Sequence, residues 1–299
     1  MSERITQYTR DGLTFDVIDS GPVGAGGSGD DRGTTPPVIL LHGFPQRANS
    51  WDQVTPLLNA QGLRTLAPDQ RGYSPGARPA GRRAYRMDEL VADVIALADA
   101  IDAPTFHLVG HDWGAAVAWM VAANHPDRVA TLTTVSVPHP AAFLRAMPRG
   151  QLLHSWYILF FQLPWLPERA VTAVSRMRRQ VPARIGLPDG FIPKLQREIV
   201  DYGALRGGLG WYRGLPFGDP RDTGRRVSTP STFVWSDHDG YIGAAAARGC
   251  AEYVTGPFDY IEIPDATHWL PETHATELAD AIIARIDGPG ATASGTAAS

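Results

Sequence analysis

Cysteine is almost absent from this sequence, and with it the chemistry that clusters of thiols support. Cys250 is the single cysteine among 299 residues, which excludes an intrachain disulfide and any zinc or iron–sulfur site built on several cysteines. No pair of histidines has zinc-ligand spacing on a predicted helix, and no phosphate-binding loop with its lysine is present. Residues 24–29 fit G-x-G-x-x-G, but no helix can begin at the polar residues that follow them. We therefore expect no metal and no other cofactor.

Long apolar runs are missing as well. No stretch of about 18 apolar residues exists, and the most apolar segment, residues 156–166, is interrupted by Gln162 and Pro164. We therefore expect no membrane span. The first residues are polar and lead into no apolar segment of the kind that a secretory signal requires, so we expect a cytoplasmic protein.

Positive charge is scarce overall but concentrated in the middle of the chain. The net charge of −4 argues against a nucleic-acid-binding protein. Residues 139–226 nevertheless contain 14 Lys and Arg against 6 Asp and Glu, whereas the rest of the chain contains 13 against 25. The two parts carry net charges of +8 and −12, which indicates a separate subdomain whose charge complements that of the rest.

Short apolar, β-rich runs alternate with amphipathic helical stretches over most of the chain. The predicted strands are residues 5–9, 13–19, 38–41, 63–67, 106–109, 129–137, 232–235 and 260–263, and the predicted helices are residues 51–60, 88–100, 115–123, 244–253 and 274–286. Continuous apolar runs such as residues 38–41 are typical of strands buried on both faces. The pattern predicts an α/β fold with a doubly wound, mostly parallel, eight-stranded sheet.

From residue 139 to about residue 226 this alternation stops. The segment is helical in character and is repeatedly interrupted by proline, which predicts a helical insertion after about the sixth strand. We expect a core in two parts, residues 1–138 and 227–286, with a helical cap at residues 139–226 between them. Residues 287–299 are small and polar and are predicted to form a disordered tail.

A strand–turn–helix motif follows the predicted strand 106–109. The motif G-H-D-W-G at residues 110–114 has two glycines, which permit a tight turn and a close approach of strand and helix. Such a turn exposes its central residue, here Asp112, at the carboxyl edge of the sheet. A carboxylate at a helix N-terminus is stabilised as the anion, is ionised at neutral pH with a reference pKa of about 3.9, and needs no base to activate it. We predict that Asp112 is a nucleophile rather than only a helix cap.

The motif H-G-F-P at residues 42–45 directly follows the predicted strand 38–41. In folds that carry a nucleophile on such a strand–turn–helix motif, the loop after strand 38–41 supplies one backbone N–H of an oxyanion hole. The residue after the nucleophile supplies the other. The two donors are predicted to be the backbone N–H groups of Phe44 and Trp113. His42 and His111 flank the site, and we expect both to be structural.

The last two predicted strands are followed by an acid and a base. His268 follows strand 260–263, and Asp237 and Asp239 follow strand 232–235. The order nucleophile, acid, histidine is the one that the hydrolase architecture requires. We predict that His268 is the base and that an Asp orients it through its other ring nitrogen. Asp239 is favoured because it sits further into the loop, with Asp237 as the alternative.

Together these motifs resemble the α/β-hydrolase superfamily and, within it, the epoxide hydrolases, over residues 3–286. That family carries two cap tyrosines which donate hydrogen bonds to the epoxide oxygen. The segments S-W-Y at residues 155–157 and G-W-Y-R at residues 210–213 resemble the two tyrosine-bearing segments, so the resemblance implies Tyr157 and Tyr212 as the acid pair. Phenols, with a pKa of about 10, remain protonated at neutral pH and can donate to the developing alkoxide.

The resemblance implies a cofactor-independent hydrolase that converts an epoxide to a vicinal diol through a covalent ester on Asp112. Its partners would be a small epoxide and water, in a monomer or homodimer. The side chains predicted to form an aromatic pocket for apolar or aryl epoxides are those of Phe44, Trp113, Trp156 and Trp211.

Other functions remain open on the sequence. A haloalkane dehalogenase resembles this fold and also uses an Asp nucleophile, and Trp113 with Trp156 or Trp211 could donate to a halide; the two tyrosine segments favour the epoxide hydrolase. Fluoroacetate dehalogenases have an Arg at the position of Trp113, so the tryptophan in this sequence argues against that activity. No serine occupies the turn of an esterase, and a non-catalytic ligand-binding protein of the same fold would not need the complete triad.

Overall fold

The computed structural model describes residues 3–23, 35–176 and 186–288. The glycine-rich residues 24–29 and all but the first two residues of the predicted tail, 287–299, lie outside the described residues. Within the described part of the chain, no helix combines the length and the apolar character needed to cross a bilayer.

Eight strands among the described residues form one sheet. They are β1 (Gln7–Arg10), β2 (Leu13–Ser20), β3 (Val38–Leu41), β4 (Thr65–Pro68), β5 (Phe106–His111), β6 (Val129–Val135), β7 (Ser231–Ser236) and β8 (Phe258–Ile263). Their order is β1-β2-β4-β3-β5-β6-β7-β8. The pairs β1–β2 and β2–β4 are antiparallel and all the others are parallel, which confirms the predicted mostly parallel sheet.

Helices cover both faces of the sheet. The helices are α1 (Thr55–Ala60), α2 (Met87–Ala100), α3 (Trp113–Asn124), α4 (Pro140–Ala146), α5 (Gln151–His154), α6 (Trp156–Phe161), α7 (Leu166–Ser175), α8 (Phe191–Leu195), α9 (Leu205–Gly214), α10 (Ala244–Arg248), α11 (Leu270–Thr273) and α12 (Ala275–Asp287). Shorter 3₁₀ turns are Ala48–Trp51, Pro75–Ala77, Arg82–Tyr85, Met147–Arg149, Leu215–Phe217, Asp222–Gly224 and Cys250–Tyr253, and Gln196–Val200 is a π turn.

The sheet separates two apolar cores, as β3 illustrates. Its four residues are all buried, and because side chains alternate along a strand, Ile39 and Leu41 enter one core while Val38 and Leu40 enter the other. Helices α2 and α3 pack in the first core, and α1 and α12 in the second. Burial on both faces explains why the sequence of β3 is uniformly apolar.

The helices α4–α9 lie between β6 and β7, which confirms the predicted helical insertion after the sixth strand. The insertion approaches the core closely at α9, where a Cβ on Gly207 would lie 2.1 Å from the carbonyl oxygen of Gly72. Only glycine allows this contact between the two backbones. The division into core and cap at residues 138/139 and 226/227 stays a prediction.

Several element boundaries differ from the sequence prediction, and two of these differences have a clear physical reason. β5 continues beyond residue 109, because Gly110 and His111 still pair with β6 at Thr134 and Val135. The predicted helix 51–60 is instead a 3₁₀ turn followed by α1, and Pro56 lies at the start of α1, where a residue without an N–H is tolerated.

Candidate active site

Asp112 occupies a sharp turn between β5 and α3. Its φ angle is +52°, a left-handed conformation that is costly for a residue with a side chain and that recurs at functional sites. The flanking glycines are required by space, since a Cβ on Gly110 would lie 2.2 Å from the carbonyl oxygen of Gly114, and one on Gly114 would lie 2.1 Å from that of Leu41. The turn therefore holds Asp112 at the carboxyl edge of the sheet, as the motif predicts.

His268 lies between two carboxylates that come from distant parts of the chain. Its Nδ1 donates to Oδ2 of Asp239 at 2.8 Å, and its Nε2 lies 3.4 Å from Oδ2 of Asp112. The other oxygen of Asp239 accepts the backbone N–H groups of Tyr241 at 2.7 Å and Ile242 at 3.0 Å. The side chain of Asp239 is completely buried, whereas the alternative acid Asp237 is exposed. The structure thus brings Asp239, and not Asp237, to His268.

The charges of this triad support one another. Burial by itself would lower the pKa of His268, but the carboxylates of Asp239 and Asp112 outweigh it and raise that pKa to about 10. Burial likewise acts to raise the pKa of Asp112. The hydrogen bond from His268, the positive charge of His268 and the N–H of Phe44 outweigh burial, so the pKa of Asp112 is lowered on balance. Both directions favour an imidazolium at His268 and a carboxylate at Asp112 before substrate binds.

One backbone N–H group donates to the carboxylate of Asp112, and a second follows it directly in the chain. The N–H of Phe44 donates to Oδ1 of Asp112 at 2.8 Å. Trp113 is the first residue of α3, so its N–H has no acceptor within the helix. A Cβ on Gly43 would lie 2.4 Å from that of Asp112, which explains why a glycine precedes Phe44. These two N–H groups are the pair predicted to form an oxyanion hole.

Tyr157 on α6 and Tyr212 on α9 stand over this site. Their ring centroids are 6.0 Å apart, and the ring of Tyr212 lies 4.9 Å from that of Trp113 and 5.3 Å from that of Phe44. Burial raises the pKa of both phenols well above 10, and the negative charge of Asp112 raises both further. Both hydroxyl groups are thus protonated at neutral pH and can donate a hydrogen bond.

The four aromatic residues predicted to line a pocket have three different environments. Phe44 and Trp113 contact Tyr212 beside Asp112. Trp211 is fully buried behind Trp113, at 5.9 Å between ring centroids, and its indole N–H donates to the carbonyl oxygen of Arg71 at 2.7 Å. Trp156 is 64% exposed.

The prediction that Trp156 lines the pocket is wrong. Its ring contacts that of Phe160, at 6.3 Å between centroids. Among the described residues, no ring contact joins Trp156 to Tyr212 or to Trp113. The reason is helical geometry. Successive residues of a helix point about 100° apart, so a helix that directs Tyr157 inward turns Trp156 toward solvent.

Two further aromatic residues at the site were missed by the sequence analysis. Tyr241 lies with its ring 4.8 Å from that of His268 and 5.8 Å from that of Tyr157, and burial with the charges of Asp112 and Asp239 raises its pKa to about 12. Phe161 lies 4.9 Å from Tyr212. The sequence contains a signal for Phe161, because it lies four residues after Tyr157 and residues four apart share a helix face. For Tyr241 the only signal is its position two residues after Asp239.

His42 and His111 support the site from behind. The Nε2 of His111 lies 2.9 Å from the carbonyl oxygen of His268, and the Nε2 of His42 accepts the backbone N–H of Gln70 at 3.1 Å. Burial lowers the pKa of both histidines to about 4, so both are neutral, in keeping with a structural role. In the described residues no group of three or more His, Cys, Asp or Glu could hold a metal ion.

Comparisons with known proteins identify the family of this chain. A family model described as alpha/beta hydrolase fold matches residues 36–275. Epoxide hydrolase A of Mycobacterium tuberculosis is 32% identical over 93% of this chain and 95% of its own length. Epoxide hydrolase 4 of Homo sapiens is 30% identical over 87% of this chain and 72% of its own length. The crystal structure of epoxide hydrolase A from Mycobacterium thermoresistibile superposes with a TM-score of 0.73 at 29% identity, covering 94% of this chain and 97% of that one.

Proposed function

The chain belongs to the α/β-hydrolase fold family, and we propose that it is an epoxide hydrolase that converts an apolar or aryl epoxide into a vicinal diol. One observation carries the proposal. Asp112 lies in a tight turn 3.4 Å from His268, and the phenol rings of Tyr212 and Tyr157 lie next to each other, with the ring of Tyr212 against Trp113. The carboxylate supplies a nucleophile and the phenols supply donors for an oxygen leaving group, which is the combination that opening an epoxide requires.

In the first step a carboxylate oxygen of Asp112 attacks one epoxide carbon. A C–O ester bond forms while the C–O bond of the ring breaks, and the departing oxygen becomes negatively charged. Tyr157 and Tyr212 donate hydrogen bonds to that oxygen, and one of them supplies its proton. Burial and the Asp112 charge keep both phenols protonated until then. The product of this step is a hydroxyalkyl ester on Asp112.

In the second step His268 takes a proton from water, and the resulting hydroxide attacks the ester carbonyl. Ester formation removes the negative charge of Asp112, which is one of the causes that raise the pKa of His268. The pKa of His268 therefore falls when the ester forms. The imidazolium gives up its proton, which restores the phenol that was deprotonated in the first step, and His268 becomes a base.

Asp239 holds the ring of His268 in position through Nδ1. The N–H groups of Phe44 and Trp113 stabilise the tetrahedral oxyanion. The intermediate collapses with cleavage of the ester C–O bond, and the departing diol oxygen takes a proton from His268. Asp112 then passes its carboxyl proton to His268, which restores the starting charges.

The walls around this site favour an apolar substrate. Phe44, Phe161 and Trp113 surround Tyr212 with aromatic surface, which matches hydrocarbon or aryl groups better than charged ones. Trp211 contributes by packing behind Trp113. No cofactor takes part in either step. A cytoplasmic location and a monomeric or homodimeric state stay predictions.

A haloalkane dehalogenase has less support. Halide release needs two N–H donors facing the leaving atom, but the indole N–H of Trp211 is bound to a carbonyl oxygen and Trp156 is exposed. Trp113 is the one candidate donor that remains of the three tryptophans. The discriminating experiment is a panel of epoxides, haloalkanes and simple esters with diol and halide release both measured. Diol from epoxides without halide release is expected; halide release alone would reverse the assignment, and binding without turnover would indicate a receptor.

A further inference from the structure

Exposed apolar side chains are concentrated on one part of the cap. Nine of the eleven exposed large hydrophobic residues in the described chain lie between residues 144 and 174. Six of them, which we call the apolar face, are Leu152, Leu153, Trp156, Leu159, Leu163 and Trp165, each between 44% and 81% exposed. Residues 150–167 around them contain no Asp, Glu, Lys or Arg. Exposed apolar side chains grouped in this way mark an interaction site more often than single exposed ones do.

Among the described residues, helix α6 packs toward the site through only one of its two sides. On α6, Tyr157 and Phe161 are four residues apart and point inward, where both contact Tyr212. Trp156 and Leu159 lie on the other side of the same helix and are 64% and 69% exposed. The inner side alone makes the contacts of α6 with the site, so these contacts do not account for the apolar character of the outer side.

The sequence on either side of the apolar face is basic. Arg149, Arg169 and Arg176 are exposed, and the guanidinium of Arg169 stands 4.9 Å from the ring centroid of Trp165. The single acidic residue of the sequence between residues 139 and 176 is Glu168. Its two oxygens bind Arg213 at 2.6 and 3.0 Å, so its charge is neutralised from within the cap.

We propose that the apolar face docks on the surface of a bilayer that contains anionic lipid. Tryptophan and leucine on one side with arginines around them are the composition of segments that lie in the membrane interface, their apolar side chains entering the headgroup boundary and their cations meeting lipid phosphates. The cap, residues 139–226, has a net charge of +8 in an otherwise acidic chain, which makes it complementary to an anionic surface.

The same charge disfavours a second copy of this chain as the occupant. In a two-fold symmetric dimer the same surface patch is present on both sides, so two caps of charge +8 would face each other around the apolar contact. Like charges brought together in this way oppose association. An anionic membrane removes that repulsion and supplies the apolar contact.

Vesicle co-sedimentation of the full chain tests the proposal without any epoxide, so its outcome is independent of the proposed function. Wild-type protein should bind phosphatidylcholine vesicles with about 30% phosphatidylglycerol about tenfold or more tightly than phosphatidylcholine alone. The triple variant Leu153→Ser/Leu159→Ser/Trp165→Ser should lose about tenfold or more of that binding, because it removes three apolar side chains from the interface. Matched controls are Ile18→Ser and Leu215→Ser, whose side chains are 44% and 45% exposed elsewhere and which should bind like wild type.

A second variant keeps every apolar side chain. Arg149→Gln/Arg176→Gln should reduce binding to anionic vesicles, and added salt should reduce wild-type binding in the same direction. The proposal fails if wild type does not bind, if neutral vesicles bind it as tightly as anionic ones, or if the folded triple variant binds like wild type. A wild-type dimer that the triple variant converts to monomer in sedimentation velocity, with no vesicle binding, would instead assign the face to contact between copies.

Discussion

The Nε2 of His268 lies 3.4 Å from Oδ2 of Asp112, so the proposed base and the proposed nucleophile stabilise each other's charge before any substrate arrives. This pairing keeps Asp112 ionised in a buried site, where a lone carboxylate would tend to take up a proton. It also ties the protonation of His268 to the chemical state of Asp112, and several consequences of that coupling can be measured.

Protein stability should depend on pH through His268. Its pKa is raised to about 10 in the folded protein from an ordinary 6.5, so between these values the folded state binds more protons than the unfolded chain. The stabilisation is complete below about pH 6.5 and is lost as pH rises through about 10. In urea titrations from about pH 7 to about pH 9, the unfolding free energy of wild type should fall more steeply than that of His268→Gln, by up to about 1.4 kcal/mol per pH unit. Parallel curves for the two proteins would refute the assigned protonation state.

Asp239 and Asp237 should differ sharply in their effect on turnover. Asp239→Asn removes the acceptor of the Nδ1 hydrogen bond and should lower steady-state diol formation by about 10³-fold or more. Asp237→Asn changes an exposed side chain and should stay within about twofold of wild type. The reverse ranking would move the role of triad acid to Asp237.

The two cap tyrosines should act in ring opening. Tyr157→Phe or Tyr212→Phe should each slow single-turnover ester formation by roughly 10- to 10³-fold, because each removes one donor to the developing alkoxide. The double variant should nearly abolish it, while urea unfolding should change little. Wild-type single-turnover rates in both single variants would show that neither phenol is an acid in this reaction.

Covalent catalysis by Asp112 can be tested by following an ¹⁸O label from water. With enzyme in excess over epoxide in ¹⁸O-water, the first diol formed should be largely unlabelled and the peptide that contains Asp112 should gain the label, because water attacks the ester carbonyl. His268→Gln should open the epoxide but stall at the ester, which intact-mass measurement should detect as an adduct of the substrate mass. A labelled first diol with no adduct in His268→Gln would falsify nucleophilic attack by Asp112.

Tyr241 should act through its ring as a positioning residue. The ring lies against both His268 and Tyr157, so Tyr241→Ala should loosen both and lower kcat by roughly tenfold or more. Tyr241→Phe keeps the ring and should retain kcat within about threefold, with an unchanged pH profile of ester hydrolysis. If Tyr241→Phe loses as much activity as Tyr241→Ala, the hydroxyl group rather than the ring matters.

The sequence by itself determined the parts of this protein that local rules encode. Uniformly apolar strands such as β3, the turn around Asp112 and the order Asp112, Asp239, His268 all follow from periodicity, glycine geometry and chain order, which need only neighbouring residues or one architectural rule. The strands and the helical insertion could be predicted for this reason. The roles of the site residues rest on the same motifs together with the resemblance to a family.

Only the tertiary structure decided which side chains meet. Asp237 and Asp239 are two residues apart in one loop, and the fold buries one against His268 and leaves the other in solvent. Trp156 and Tyr157 are adjacent in the chain, yet helical phase sends one outward and the other toward Asp112. The N–H of Trp211 is taken by a carbonyl 140 residues away. Contacts of this range depend on how elements pack against one another, and no local pattern in the sequence encodes them.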